Sequence, residues 1–381
     1  MYTRLENPQR RSRMRRIILL FSMPCCFIIP ILFYQTSILK TTFSTSTLNE
    51  SEKCVTIESL QTKDVRILIL DEDFLRSIQN GTCEKFRKIE IGIDLKYLKN
   101  REILKDPRFE VIFFANETKK DYFDLRTEPR RIIPKRFESH QIGNIYYPKN
   151  IPQFLGFLKR SKYIDCLNLY IPRKGQKVFL NAARSAQSLA QLRDKLLDFD
   201  MFSFLNGGTL LGWYRECSII PHTYDMDVSV FIEDINPKIL DYFQSAESEF
   251  TLARKFGRIN DSLELTVYSN TGYAVNTDVF FMYTDDYKNG TIINWVGGMN
   301  GNGGKYKFTY PKYDPWCAGD LLGHIFWVTC SPNQQITLEY GKLWYKDHPT
   351  TKYQWNESGK NVKPNGNWTK EDMKSVFFWK H

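Results

Sequence analysis

Asp225 and Asp227 stand two apart in Asp225-Met226-Asp227-Val228-Ser229-Val230-Phe231, a run whose alternation predicts a strand. Residues i and i+2 of a strand share a face, so both carboxylates project together. Two buried carboxylates without a cation would repel. A divalent ion with a preference for hard oxygen ligands removes that conflict, which is how Mg²⁺ or Mn²⁺ is held against phosphate oxygens. Gly207-Gly208-Thr209 lies 18 residues ahead of Asp225. Glycine lets backbone approach a ligand closely and a helix start favours anions, so this turn would hold phosphate beside the metal. A third carboxylate, Asp278, sits in Asn276-Thr277-Asp278-Val279-Phe280-Phe281, among apolar strand formers where a lone acid is costly. Each piece has a plainer reading: Asp-x-Asp also describes a solvated strand end, and Gly-Gly also describes a simple turn. Asp285 and Asp286, just past the third acid, read as solvated.

Positioning these groups requires strands for the acids and a helix behind the glycines. A helix over 178–199 is predicted by Leu189, Leu192, Leu196 and Phe199 at helical spacing. An apolar run at 202–205 precedes the turn, and 209–215 opens a second helix. Beyond the Asp pair the pattern predicts a helix over 237–248 and strands at 263–268, 275–283, 292–295 and 306–310. Upstream, 65–70, 89–93 and 110–115 read as buried strands and 154–158 as a short helix. Alternating strands and helices over 63–170 suggest a small α/β domain without a catalytic motif. Ile171-Pro172-Arg173-Lys174-Gly175 marks a boundary, leaving 171–381 as the catalytic domain with a mixed sheet. The fold class expected is α/β (α+β).

The chain has 381 residues, 42% of them hydrophobic, with 27 Phe and 21 Tyr. That excludes a disordered, collagenous or coiled-coil protein. Net charge is +10, but residues 1–16 carry six Arg and one Glu and so contribute +5 of it. The remainder has an ordinary balance, which gives no case for nucleic acid. Residues 17–39 contain no formal charge and as a helix would reach about 35 Å, enough to span a bilayer. With Arg on one side and a Ser/Thr-rich stem over 40–62 on the other, the expectation is a cytosolic tail, a transmembrane helix and a lumenal body in Golgi or ER membrane. A cleaved signal peptide is the alternative. Cys25 and Cys26 read as lipid-facing or acylated. Glycosylation sequons begin at Asn49, Asn80, Asn116, Asn260, Asn289, Asn356 and Asn367, all beyond that segment. Six cysteines beyond it suit an oxidising compartment, with the pairing left open. No Cys-x-x-Cys occurs, and zinc-ligand spacing is lacking.

A Gly-Gly turn leading to an Asp-x-Asp strand resembles the signature of polymerase-β-type nucleotidyltransferases. More specifically, Gly208-Thr209-Leu210-Leu211-Gly212-Trp213-Tyr214-Arg215-Glu216-Cys217-Ser218-Ile219-Ile220-Pro221 followed by Asp225-Met226-Asp227 resembles the fukutin branch of the LicD-type transferases. So do Asp278-Val279-Phe280-Phe281, Leu338-Glu339-Tyr340-Gly341-Lys342 and Lys363-Pro364-Asn365-Gly366. The resemblance covers 178–381 well and 63–170 loosely. Fukutin moves ribitol 5-phosphate from CDP-ribitol to the phosphorylated O-mannose glycan of dystroglycan; LicD relatives move phosphocholine from CDP-choline. The resemblance therefore implies a metal-dependent transferase moving a phospho-alditol from a CDP-linked donor to a glycoprotein glycan, with CMP leaving. It implies that Asp225 and Asp227 hold the metal on the donor diphosphate, and that Asp278 completes the metal site or accepts the proton of the attacking hydroxyl. Gly207, Gly208 and Thr209 would line the donor phosphates. Arg215 pairs with phosphate or is a solvent-facing helix arginine; Trp213 and Tyr214 face the donor or the core; His222 has no assigned role; Cys217 is a disulfide partner or a small buried residue. Partners implied are the donor, the acceptor glycan, the bilayer and other glycosyltransferases. The rival functions are phosphocholine transfer and an inactive scaffold of the glycosylation machinery.

Overall fold

A computed structural model describes residues 54–380 apart from 86, 174, 287 and 288. The N-terminal half contributes β1 (Ile67–Ile69), β2 (Ile89–Asp94), β3 (Phe109–Ala115), β4 (Tyr122–Arg126), β5 (Arg131–Pro134), β6 (Ile145–Pro148), α1 (Ile151–Lys159) and β7 (Lys162–Tyr163). β1 is buried at every position, the pattern of a strand covered on both faces. It pairs with β2 on one side and β6 on the other, and β3, β4 and β5 follow beyond β2. α1 starts at Asn150, whose side chain accepts from the Gln153 N–H at 3.1 Å, satisfying an otherwise unpaired helix donor.

β7 carries the sheet onward. Lys162 pairs with Arg131 on one side and with Cys317 on the other. The C-terminal half contains α2 (Ala182–Leu197), β8 (Phe204–Leu205), α3 (Gly207–Glu216), β9 (Asp225–Phe231), α4 (Lys238–Gln244), β10 (Phe250–Arg258), β11 (Asp261–Ser269), β12 (Asn276–Asp286), β13 (Ile292–Met299), β14 (Gly304–Pro311), β15 (Cys317–Leu321), β16 (His324–Val328), α5 (Pro332–Tyr340), β17 (Val362–Asn367) and β18 (Phe377–Trp379). From β7 the order runs β15–β16–β8–β9–β12. β12 is 11 residues long, and its length lets the sheet fork. Its first part pairs with β9 and β11, leading to β10 and β18; its last part pairs with β13, leading to β14 and β17. Asp285 belongs to this longer strand: it accepts from Trp295 Nε1 at 2.9 Å and pairs with Lys307 at 2.6 Å.

Among the described residues two large hydrophobic clusters and a small third one around Phe256, Met299, Trp368 and Val376 fill the interior. Of the two large ones, one joins β1–β6 and α1 to Phe204 and Trp327. The other packs α2 and α3 on β9, β11 and β12, with Trp213 fully buried. Three disulfides, Cys54–Cys83, Cys166–Cys217 and Cys317–Cys330, take up all six cysteines of this region.

The expectation of a membrane-spanning helix in this fold is corrected. Among the described residues no helix is long and apolar enough to cross a membrane. The 16-residue α2 reaches about 24 Å, short of a hydrocarbon core of about 30 Å, and it carries Arg184, Arg193, Asp194 and Lys195. Residues 17–39, on which that expectation falls, lie outside the described residues, as does the tail 1–16. The fold supported is a mixed α/β body.

Candidate active site

β9 and β12 lie parallel, with Asp227 in register with Asp278 and Asp225 with Asn276. In-register side chains of neighbouring strands share a face, so the three acids predicted from sequence converge on one side of the sheet. β11 continues that face: Thr266 lies opposite Asp278, and Arg254 of β10 lies opposite Thr266. Glu264, two residues from Thr266 on β11, joins them.

α3 begins against this face. The Gly208 N–H donates to Asp227 Oδ2 at 2.9 Å, and the Asp227 N–H donates to Thr209 Oγ1 at 2.7 Å. A carboxylate therefore caps this helix, where the backbone dipole favours negative charge. Asn206, just ahead, is turned to Ser229 Oγ at 2.8 Å. Gly207 has φ +50°, and a Cβ there would sit 2.9 Å from Asp227 Oδ2, so glycine is required both by the backbone and by the carboxylate. Gly207→Ala is expected to lower any catalysis that rests on Asp227 by about tenfold or more while circular dichroism stays native, since left-handed backbone costs a non-glycine residue about 1–2 kcal/mol and the new methyl displaces Asp227. An unchanged rate would mean that the position of Asp227 does not matter.

The acids are short of positive charge. Asp225 is partly buried and accepts from Thr223 Oγ1 at 2.9 Å. Burial, then the Asp225, Asp278 and Glu339 carboxylates, push Asp227 well above the usual carboxylate range, against the Gly208 N–H. Burial also raises Glu264 and Asp278, with Arg254 opposing it in both. Asp278 accepts from Thr266 Oγ1 and from Arg254 Nη2, at 3.2 Å for the latter, and Arg254 also pairs with Glu264. Glu339 comes from α5, which packs on α3, and accepts from Tyr310 OH at 2.8 Å.

As placed, no group of three or more His, Cys, Asp or Glu among the described residues is set to hold a metal ion. The donor chemistry nevertheless fits a hard divalent cation: Asp225 and Asp227 offer oxygens on one face, neither with an ion-pair partner among the described residues, while Asp278 is engaged by Arg254. Arg215 is drawn away from this face. It lies eight residues along α3 from Gly207, about 12 Å at helical rise, and is 2% exposed. Its guanidinium bonds Glu216 at 2.8 Å and the carbonyls of Trp344 and Lys346. Arg173 pairs with Glu216 and Asp347, and His222 contacts Asp347 at 3.0 Å and Thr350 Oγ1 at 2.8 Å. This cluster fastens the 344–350 segment to the far end of α3. Trp213 is a core residue donating to the Asp320 carbonyl at 3.1 Å. Arg254, Glu264 and Glu339 escape the sequence reading as site residues, although a lone acid in the apolar run Leu263-Glu264-Leu265 is the same signal that marks Asp278.

Comparison with known proteins gives the class first. Residues 200–328, which hold β9, β12 and all three acids, match the family described as LicD/FKTN/FKRP, nucleotidyltransferase domain, and residues 53–165 match the W02B3.4-like N-terminal domain. The chain is 46% identical to protein W02B3.4 of Caenorhabditis elegans, over 96% of this chain and 99% of that one. It is 48% identical to T07A5.1 of the same organism, over 86% and 87%. Ribitol-5-phosphate transferase FKTN of Mus musculus is 33% identical over 58% of this chain and 47% of its own length. The catalytic half is thus a transferase domain of nucleotidyltransferase type. The chain belongs with the W02B3.4-like proteins, and its residues 200–328 form a LicD/FKTN/FKRP domain similar to that of fukutin.

Proposed function

We propose that this protein transfers a phospho-alditol, of the ribitol 5-phosphate kind, from a CDP-linked donor to a glycoprotein glycan and releases CMP. The observation that supports it is the row Asp227–Asp278 with Asp225 beside it, set against the start of α3 on a chain related to a ribitol-5-phosphate transferase. In this reading an acceptor hydroxyl oxygen attacks the phosphorus that carries the alditol. The bond from that phosphorus to the bridging oxygen breaks, its electron pair leaves with CMP, and the hydroxyl proton passes to Asp278 or to water. Asp225 and Asp227 would hold Mg²⁺ or Mn²⁺, which supplies positive charge for the leaving diphosphate oxygen. The glycine turn fixes Asp227, through the Gly208 N–H and Thr209, so that its carboxylate does not wander from Asp225. Three disulfides support a folded body in an oxidising, secretory compartment such as Golgi or ER lumen.

The test uses the full chain with Mn²⁺ or Mg²⁺ and CDP-ribitol, CDP-glycerol or CDP-choline, and scores CMP release with and without an O-mannosyl phosphoglycan acceptor. The expected result is metal-dependent, acceptor-stimulated release from a CDP-alditol. Release from CDP-choline alone would replace the donor assignment, and no release from any donor would favour an inactive scaffold.

A further inference from the structure

Arg254 is the one cation paired with the acid face among the described residues. Nη2 carries all of its ion pairing: to Glu264 Oε1, and to Asp278 Oδ1 and Oδ2 at 3.2 and 3.3 Å. Its Nε is buried without a hydrogen-bond partner, so the guanidinium fork is only half engaged. The side chain keeps a solvent path, at 23% exposed. The guanidinium rests over Phe256, 4.5 Å to the ring centre, with Trp379 at 5.9 Å. Four strands put it in line: Arg254 opposite Thr266, Thr266 opposite Asp278, Asp278 beside Asp227.

Two features separate this from an ordinary structural ion pair. First, Arg254 combines its unpartnered Nε with a side chain 23% exposed, whereas Arg215, whose Nε is likewise unpartnered, is shut into its cluster at 2%. Second, Arg254 and Thr266 take up lone pairs of Asp278 that a metal or an incoming proton would use, so they compete with both. A diphosphate offers what the fork lacks, a pair of anionic oxygens that match two parallel N–H donors.

Resting on the transferase reading above, we propose that Arg254 is the donor-diphosphate-binding residue of this site. In the free protein it closes the acid face by pairing with Asp278 and Glu264. When a nucleoside diphosphate binds, Arg254 exchanges those carboxylates for phosphate oxygens and so frees Asp278. Arg254 is thus a counter-ion in one state and a ligand clamp in the other.

The test measures binding, not turnover. Full-length wild type, Arg254→Gln and Arg254→Lys are titrated with Mn²⁺ alone by electron paramagnetic resonance, then with CDP at saturating Mn²⁺ by calorimetry. Arg254→Gln removes a competitor for Asp278, so Mn²⁺ should bind about threefold tighter or more. The same change should weaken CDP by about tenfold or more, because the fork is gone. Arg254→Lys retains the charge that Glu264 needs, which protects the fold, but not the fork; Mn²⁺ binding should stay near wild type and CDP should weaken about threefold or more. Opposite movement of metal and nucleotide affinity is not produced by a merely structural role. If wild type binds both probes and CDP affinity is unchanged in both variants, the Arg254 proposal fails and the transferase reading stands. If metal and nucleotide weaken together in Arg254→Lys, the proposal also fails. If wild type binds neither Mn²⁺ nor CDP, both readings fall.

Discussion

Asp227→Asn should abolish transfer and at the same time raise the thermal midpoint. The two effects share one cause. Asp227 lies in register with Asp278, two residues from Asp225 on its own strand, and within reach of the Glu339 charge, with no cation paired to it. Its fixed contacts are the Gly208 N–H and the backbone link to Thr209. Asparagine has the same shape and keeps an oxygen for the Gly208 N–H, so the start of α3 should survive. What disappears is the cost of keeping an ionisable carboxyl on a crowded acid face, whether that cost is met by repulsion or by taking up a proton, and functional sites carry such strain. The midpoint of the metal-free protein should rise by about 1–3 °C, the scale on which a gain of about 1 kcal/mol registers in a large domain. Transfer should fall at least about 1,000-fold, or about 4 kcal/mol in barrier. Differential scanning fluorimetry without added metal and a CMP-release assay read the two effects. A native rate would remove Asp227 from the chemistry; a lowered midpoint would show that its charge is already balanced.

The acid row was open to sequence reasoning because its elements announce themselves locally. β9 is legible in full, since Met226, Val228 and Val230 alternate with Asp225, Asp227 and Ser229, and the structure places the strand at Asp225–Phe231. β12 is legible because an acid inside Thr277-Asp278-Val279-Phe280 must be supported by neighbours. β10 is hidden: in Phe250–Arg258 a bulge between Leu252 and Arg254 breaks the alternation, and Arg254 on the acid face and Lys255 on the other put charges on both sides. A strand whose partners are charged does not show a clean apolar period. The β15–β16 hairpin is hidden for another reason. Its turn is Leu322-Gly323 with φ +55° and +91°, a left-handed pair that the usual Asn-Gly or Asp-Gly would have signalled. Arg215 shows the limit of helical spacing. Its position on α3 is read correctly, but its direction is set by Trp344, Lys346 and Asp347, roughly 130 residues later in the chain. Local pattern carries no information about such partners.

Arg193→Met should cost the fold about 3–5 kcal/mol, the usual penalty for stranding one member of a buried ion pair. Arg193 projects from α2, is 2% exposed, and reaches the two halves of the sheet at once. Nη2 bonds Asp121, just ahead of β4, at 2.8 Å and Asp194 at 2.6 Å, while Nη1 donates to the Ile325 carbonyl on β16. Asp121 in turn accepts the Ile325 N–H at 3.1 Å and faces His324 Nδ1 at 3.2 Å. Methionine fills the volume of the arginine stem, so packing around Phe326 is largely kept, and the loss falls on Asp121. Burial alone would raise the Asp121 carboxyl; the His324 contact, the charge and hydrogen bond of Arg193 and the Ile325 N–H outweigh it and hold it at about 2. A carboxylate lowered in the folded state adds stability above its unfolded value of about 3.9, and that stability is lost as pH falls from there toward about 2. The wild type therefore gives up more stability than the variant over that window. Urea unfolding should show the full gap at pH 7 and a gap narrower by about 1 kcal/mol near pH 2.5. An equal gap at both pH values would mean that Arg193 acts through packing and not through the charge of Asp121.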